Sequence, residues 1–169
     1  KAPFVKYAQR YQLDWLLLVA QGYQESGLNQ RLVSPRGAVG IMQVLPSTAA
    51  GSPFYIRDIN TVDNNVHAGV KYMRWLIDTY FTDPKMDSLN RHLFALAAYN
   101  CGPGRVIRLR KMAKERGLDP NLWFDNVELM AAEVIGRETV QYVSNIYKFY
   151  ASYRALSYYA SERDKEQDP

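Results

Sequence analysis

A single cysteine, Cys101, excludes an internal disulfide. Histidine is nearly as scarce: only His67 and His92 occur, and no His or Cys pair has the spacing that holds a metal, so none is expected. No organic cofactor is expected either. There is no run of 18 apolar residues, so no transmembrane segment is expected in this stretch. The chain opens on "KAPFVKYAQ", without a starting Met or a signal-peptide pattern. The expectation is therefore a stretch from the middle of a longer chain. Internal repeats, low-complexity blocks and linkers between domains are also missing.

What is present suits one compact domain. The chain has 169 residues, 47% of them hydrophobic and only 22% charged, which supports a real core and excludes disorder. A net charge of +4 is too small to name a polyanionic partner. Basic residues gather in "RVIRLRKMAKER", 105 to 116. They read as a solvated helix face or as a nucleic-acid surface built on Arg108, Arg110 and Lys111. No nucleic-acid motif accompanies them, so the first reading is taken.

Apolar periodicity predicts helices over 3–11, 14–26, 62–82, 88–99, 103–116, 125–132 and 136–156, with a short one from Pro46 to Gly51. Asp14 is the expected N-cap of the second and Gly27 its stop. The stretch 27–60 is rich in Gly, Pro, Ser and Asn and reads as irregular, with at most a short strand pair near 37–44. Residues 157–169 are polar and read as a frayed tail. The expected fold is all-α, one domain over 1–156.

One acid stands out. "QGYQESGLNQ" closes the apolar run "LDWLLLVA", and Glu25 falls in the last helical turn. The carbonyls there form the negative pole of the helix, and its face neighbours Leu18 and Gly22 are apolar or tiny. Both effects disfavour the charged form. A carboxyl still protonated near neutral pH is what general acid catalysis requires. Gly22 is expected to leave room beside it for a ligand. The ordinary alternative is a solvated Glu at a helix end.

Three further stretches bear on that choice. "GAVGIMQVLPSTA", 37 to 49, is a glycine-rich turn in which Gly40 precedes Ile41, Met42 and Gln43; such a loop lets backbone approach a ligand. "ALAAYNCGPGRV" ends a helix on Tyr99 and Asn100. "GRETVQYVSNIY" puts Glu138 and Tyr142 four apart, on one helix face. Taken singly each has an ordinary reading: Met42 as core filler, Tyr99 as a core aromatic, Glu138 as a helix N-terminal acid.

In this order and with these spacings, "QESGLNQRLVSPRGAVGIMQVLPSTA", "AYNCGPGRV" and "RETVQYV" closely resemble the signature of the lytic transglycosylases of the goose-lysozyme-like superfamily, glycoside hydrolase family 23. The likeness spans about residues 4–156. The start "KAPF" and the "DWLLL" helix look most like the membrane-bound type F subfamily, whose catalytic domain follows a solute-binding-protein-like domain.

The resemblance implies a lysozyme-like fold and non-hydrolytic cleavage of the β-1,4 bond between N-acetylmuramic acid and N-acetylglucosamine, leaving a 1,6-anhydro end. Glu25 matches the family's single acid/base. Ser26 matches a residue orienting the acid or the sugar, and Gly40, Met42 and Gln43 match the groove. Tyr99, Asn100, Glu138 and Tyr142 match residues around the reacting sugar. The implied partner is the peptidoglycan strand. The implied location is the periplasm, with an export signal, outer-membrane anchor or regulatory domain outside this stretch.

Ile41 and Cys101 depart from the usual Leu and Ala. Cys101 reads as a small buried residue, although a thiol nucleophile served by His67 or His92 is the sharper alternative. Three rival functions stay open. A lysozyme-type hydrolase is one, with Asp58 or Asp63 activating water. A glycan-binding module without catalysis is another, and a nucleic-acid-binding domain the last.

Overall fold

The computed structural model describes residues 1–166. Helices α1 (Ala2–Tyr11), α2 (Trp15–Ser26), α3 (Pro46–Ala50), α4 (Val62–Tyr80), α5 (Ser88–Cys101), α6 (Pro103–Glu115), α7 (Glu128–Val134) and α8 (Arg137–Glu166) follow in chain order. Among the described residues there is no strand, only isolated antiparallel bridges from Val39 to Val33 and to Val44. The strand pair expected near 37–44 is thus reduced to a knot of turns. Its backbone has too few consecutive extended residues to form a ladder.

Local signals set most helix ends. Asp14 caps α2 by accepting from the Leu16 N–H at 2.9 Å, and Gly27 closes it with φ 63°. Thr61 and Asp87 cap α4 and α5 in the same way. The helix expected over 125–132 begins only at Glu128, because Asp125 has φ 59° and breaks the run.

α8 continues to Glu166, where a frayed tail was expected from 157; residues 167–169 of that tail lie outside the described residues. A helix already seated by its first half lengthens at little cost, and Ala160, Glu162 and Arg163 are good helix formers.

α5 is the central rod. Leu93 through Ala98 are without exposure on every face. Four of the residues between 95 and 101, "ALAAYNC", are small, which lets α4, α6 and α8 pack closely around the helix. Among the described residues one apolar cluster runs from Phe4 through Met73 and Trp123 to Tyr150. α2 lies against both α1 and α8. That arrangement carries the C-terminal turn of α2 to a cleft between α8 and the 34–45 loop.

Candidate active site

The cleft is an open groove of about 620 Å³ with Glu25 in its wall. Asn100 and Tyr99 come from the end of α5, Glu138 and Thr139 from the first turn of α8, and Gln43, Ala38 and Arg36 from the irregular loop. The sequence stretches singled out above therefore converge, although more than a hundred residues separate the first from the last.

Glu25 is half-buried, and Tyr142 donates its hydroxyl to Oε1 at 2.6 Å. Burial pushes the carboxyl up to about 7, against the Tyr142 hydrogen bond, which pulls it down. Near neutral pH the group therefore exists in both forms, as an acid that must later act as a base requires. Burial and the adjacent Glu25 charge hold the Tyr142 and Tyr99 phenols well above their ordinary range, so both stay protonated.

Several expected residues support the groove without facing it. Ser26 Oγ lies 2.9 Å from the Ile41 carbonyl and 3.2 Å from the Gly22 carbonyl, and accepts from the Asn29 N–H. It ties the end of α2 to the loop. The Met42 side chain is fully buried against Gly69, so it belongs to the core and offers no groove surface. Its backbone is what counts: the N–H donates to Asn65 Oδ1 at 2.8 Å and the carbonyl accepts the Tyr99 hydroxyl at 2.6 Å.

Gly40 has φ 77°, and a Cβ there would collide with Asn65 and Gln30. Gln43 faces the groove but spends its amide on the Gly40 and Leu32 carbonyls. Asn100 accepts from Thr139 Oγ1 at 2.8 Å, which joins α5 to α8. Glu138 is exposed at the groove edge. The space expected beside Gly22 is filled: an added Cβ would stand 3.0 Å from Phe4 and 3.1 Å from Ile41.

The other candidates lie elsewhere. Asp63 is bound to Tyr7 and Lys6 on α1, and Asp58 is exposed on the loop before α4; neither lines the groove. His67 stacks on Tyr7 at 4.3 Å and meets the Tyr11 hydroxyl, while His92 binds the Ser88 carbonyl, so neither serves Cys101. Cys101 does line the groove, half-buried, and burial pushes its thiol up, away from nucleophilic use.

In the basic stretch, Val106, Leu109 and Ala113 are buried and Arg110 is tied to Pro120 and Asn121. Among the described residues no group of three His, Cys, Asp or Glu side chains could hold a metal ion.

Sequence reasoning missed Arg36, Arg105, Thr139 and Gln21. The arginines and Thr139 lie within the quoted motifs but were not singled out. Gln21 had a legible signal: it is four residues before Glu25 on the same helix face.

The profile of the transglycosylase SLT domain matches residues 2–122. The chain belongs to that family. It is 35% identical over 187 aligned positions to "Membrane-bound lytic murein transglycosylase F" of Mannheimia succiniciproducens, an alignment covering 96% of this chain and 37% of that protein. The same-named protein of Actinobacillus succinogenes is 33% identical, with 99% and 36% covered. The chain thus spans about a third of the length of the curated relatives it matches.

Among solved structures, an inactive Glu-to-Gln mutant of the lytic transglycosylase Slt from Pseudomonas aeruginosa superimposes with TM-score 0.71 at 26% identity, covering 92% of this chain and 24% of that one. The 70 kDa soluble lytic transglycosylase of Escherichia coli superimposes with the same TM-score of 0.71. The lysozyme-like all-α fold expected from the motifs is therefore the fold observed.

Proposed function

We propose that this SLT domain is a peptidoglycan lytic transglycosylase that uses Glu25 as its single acid/base. The observation that carries the reading is a half-buried carboxyl, held near 7 by burial and oriented by Tyr142, in the wall of an open groove. An open groove suits an extended polymer better than a small molecule.

In the first step Glu25 gives its proton to the glycosidic oxygen as the bond to C1 of the muramic acid breaks. The sugar's own N-acetyl group takes the place of a second carboxylate. In the second step the C6 hydroxyl attacks C1 and Glu25 takes its proton back, leaving a 1,6-anhydro end. No water is consumed. Tyr142 keeps the carboxyl aimed, while Tyr99 and Asn100 bound the space for the sugar. Gly40, Ser26, Met42 and Gln43 act through the loop they hold.

The hydrolase alternative needs a base beside a water molecule. Asp58 and Asp63 stand off the groove, and Glu138, the other carboxylate lining it, is exposed and has no hydrogen-bond partner among the described residues. The names of the relatives support a wall polymer as substrate and association with a membrane. No helix among the described residues is long and apolar enough to cross a membrane. A periplasmic location with anchoring or regulation through a part outside this stretch is our proposal. Equal turnover by longer and shorter forms would count against the regulatory role.

The test is mass spectrometry of muropeptides released from purified sacculi. Wild type is expected to release anhydromuropeptides and Glu25→Gln none. Release should fall as pH rises through about 7, because the required acid form is lost. Reducing ends would make the domain a lysozyme. Binding without release would make it a glycan-binding module.

A further inference from the structure

Gln21 lies on α2 one turn before Glu25, and its side chain is completely buried. An amide out of water is costly unless its polar atoms are paired. Here only one is: Nε2 meets the Tyr142 hydroxyl at 3.3 Å, while Oε1 has no partner among the described residues. The Tyr142 hydroxyl has one proton, and that proton goes to Glu25 Oε1 at 2.6 Å. A lone pair of the phenol oxygen therefore faces Gln21, and only the NH₂ end of the amide can meet it. The chain of donors runs in one direction, from amide to phenol to carboxyl. Glu25 Oε2 has no hydrogen-bond partner among the described residues, and Glu25 lines the groove.

We propose that Gln21 is a positioning residue that keeps the acid proton of Glu25 on Oε2, where a leaving oxygen can reach it. The proposal rests on Glu25 being the acid of the reading above. A carboxylic acid can carry its proton on either oxygen. On Oε1 the proton would point at the phenol and away from the groove. That state requires the phenol to accept and to turn its own hydrogen elsewhere. With the Gln21 NH₂ on the phenol oxygen, Glu25 Oε1 is the acceptor the hydroxyl hydrogen finds among the described residues, so that oxygen is held as an acceptor.

Other titratable or charged groups lining the same groove are Tyr99 and Cys101 from α5, Arg105 from α6, Glu138 from α8 and Arg36 from the loop. None of them hydrogen-bonds to Glu25, and the Tyr99 hydroxyl is engaged by the Met42 carbonyl.

A double-mutant cycle tests this. Gln21→Met keeps the volume and removes the amide; Tyr142→Phe removes the relay. Gln21→Met is expected to lower kcat about tenfold with KM unchanged, because Gln21 does not touch the groove. In the Tyr142→Phe background the same substitution should cost nothing further. An equal loss in both backgrounds would reduce Gln21 to core packing, and no loss in either would remove its role.

A second readout does not depend on turnover. NMR titration of the Glu25 side-chain carboxyl, labelled with carbon-13, should show its midpoint rise in Gln21→Met but not when the change is added to Tyr142→Phe. An unmoved midpoint overturns the proposal even if the products prove to be reducing ends. If Gln21→Met does not fold, Gln21→Leu takes its place in the cycle.

Discussion

At the scale of single residues, Glu25 makes the site a liability for the fold. Burial lifts its carboxyl from 4.5 to about 7, which corresponds to about 3 kcal/mol between the two protonation states. The unfolded chain releases this proton near 4.5 and the folded chain holds it to about 7. This contribution is therefore fully present below about 4.5 and is lost as pH rises through the folded value. An amide in place of the carboxyl never takes up that charge. Glu25→Gln should melt about 5 °C or more above wild type at pH 8, and at the same temperature as wild type at pH 4. Circular dichroism melts at the two pH values check it. A constant difference at both would mean that burial is not the cause.

At the scale of elements, the groove wall is a loop without a ladder, and α4 takes the place of a sheet partner. Asn65, fully buried on α4, accepts from the Met42 N–H and donates to the Val39 and Ile59 carbonyls. Gly69, one turn on, makes room for Met42: a Cβ there would lie 2.6 Å from Met42 Cβ. These contacts set the height of the Met42 carbonyl, which anchors Tyr99 from α5. Asn65→Ala orphans the Met42 N–H and takes a donor from each of the Val39 and Ile59 carbonyls, which keep Val44 and Gln30. It should lower stability by about 3 kcal/mol. Urea titration measures that loss. Turnover should fall as well, even at temperatures where the variant is fully folded.

At the scale of the whole molecule, the two halves of α8 differ. Val143 and Ile146 are without exposure, and Tyr150 donates to Asp14, the cap of α2. α8 thereby closes the fold around α2 and delivers Tyr142 to Glu25. Beyond Tyr150 the side chains are mostly exposed, and the polar contacts are local, such as Ser161 to Tyr158 and Lys165 to Glu162. Removing residues 157–169 should shift the melting temperature by no more than about 2 °C and leave turnover unchanged. A larger fall would show that the outer half of α8 supports the inner one.

The sequence by itself determined most of the helices, because caps and apolar spacing are local: Asp14, Gly27, Thr61 and Asp87 act within a few residues of themselves, whereas the late start of α7 at Glu128 and the extension of α8 to Glu166 were not legible. It also picked out Glu25, since a carboxyl at the closing turn of an apolar helix conflicts with its surroundings. The family motifs supplied Tyr99, Asn100, Glu138 and Tyr142. The irregular loop was less legible. Periodicity cannot tell a side chain that faces a groove from one that faces the core, so Met42 was expected on the wrong surface and the room beside Gly22 was assigned to a ligand.

Only the tertiary structure decided which groups meet. The Tyr142 bond to Glu25 joins residues 117 apart in the chain, and the Gln21 contact beneath it spans 121. A hydrogen bond forms where two helices happen to pack, and the protonation of Glu25 depends on how much water that packing excludes. Neither distance nor desolvation is written in the spacing of residues along the chain.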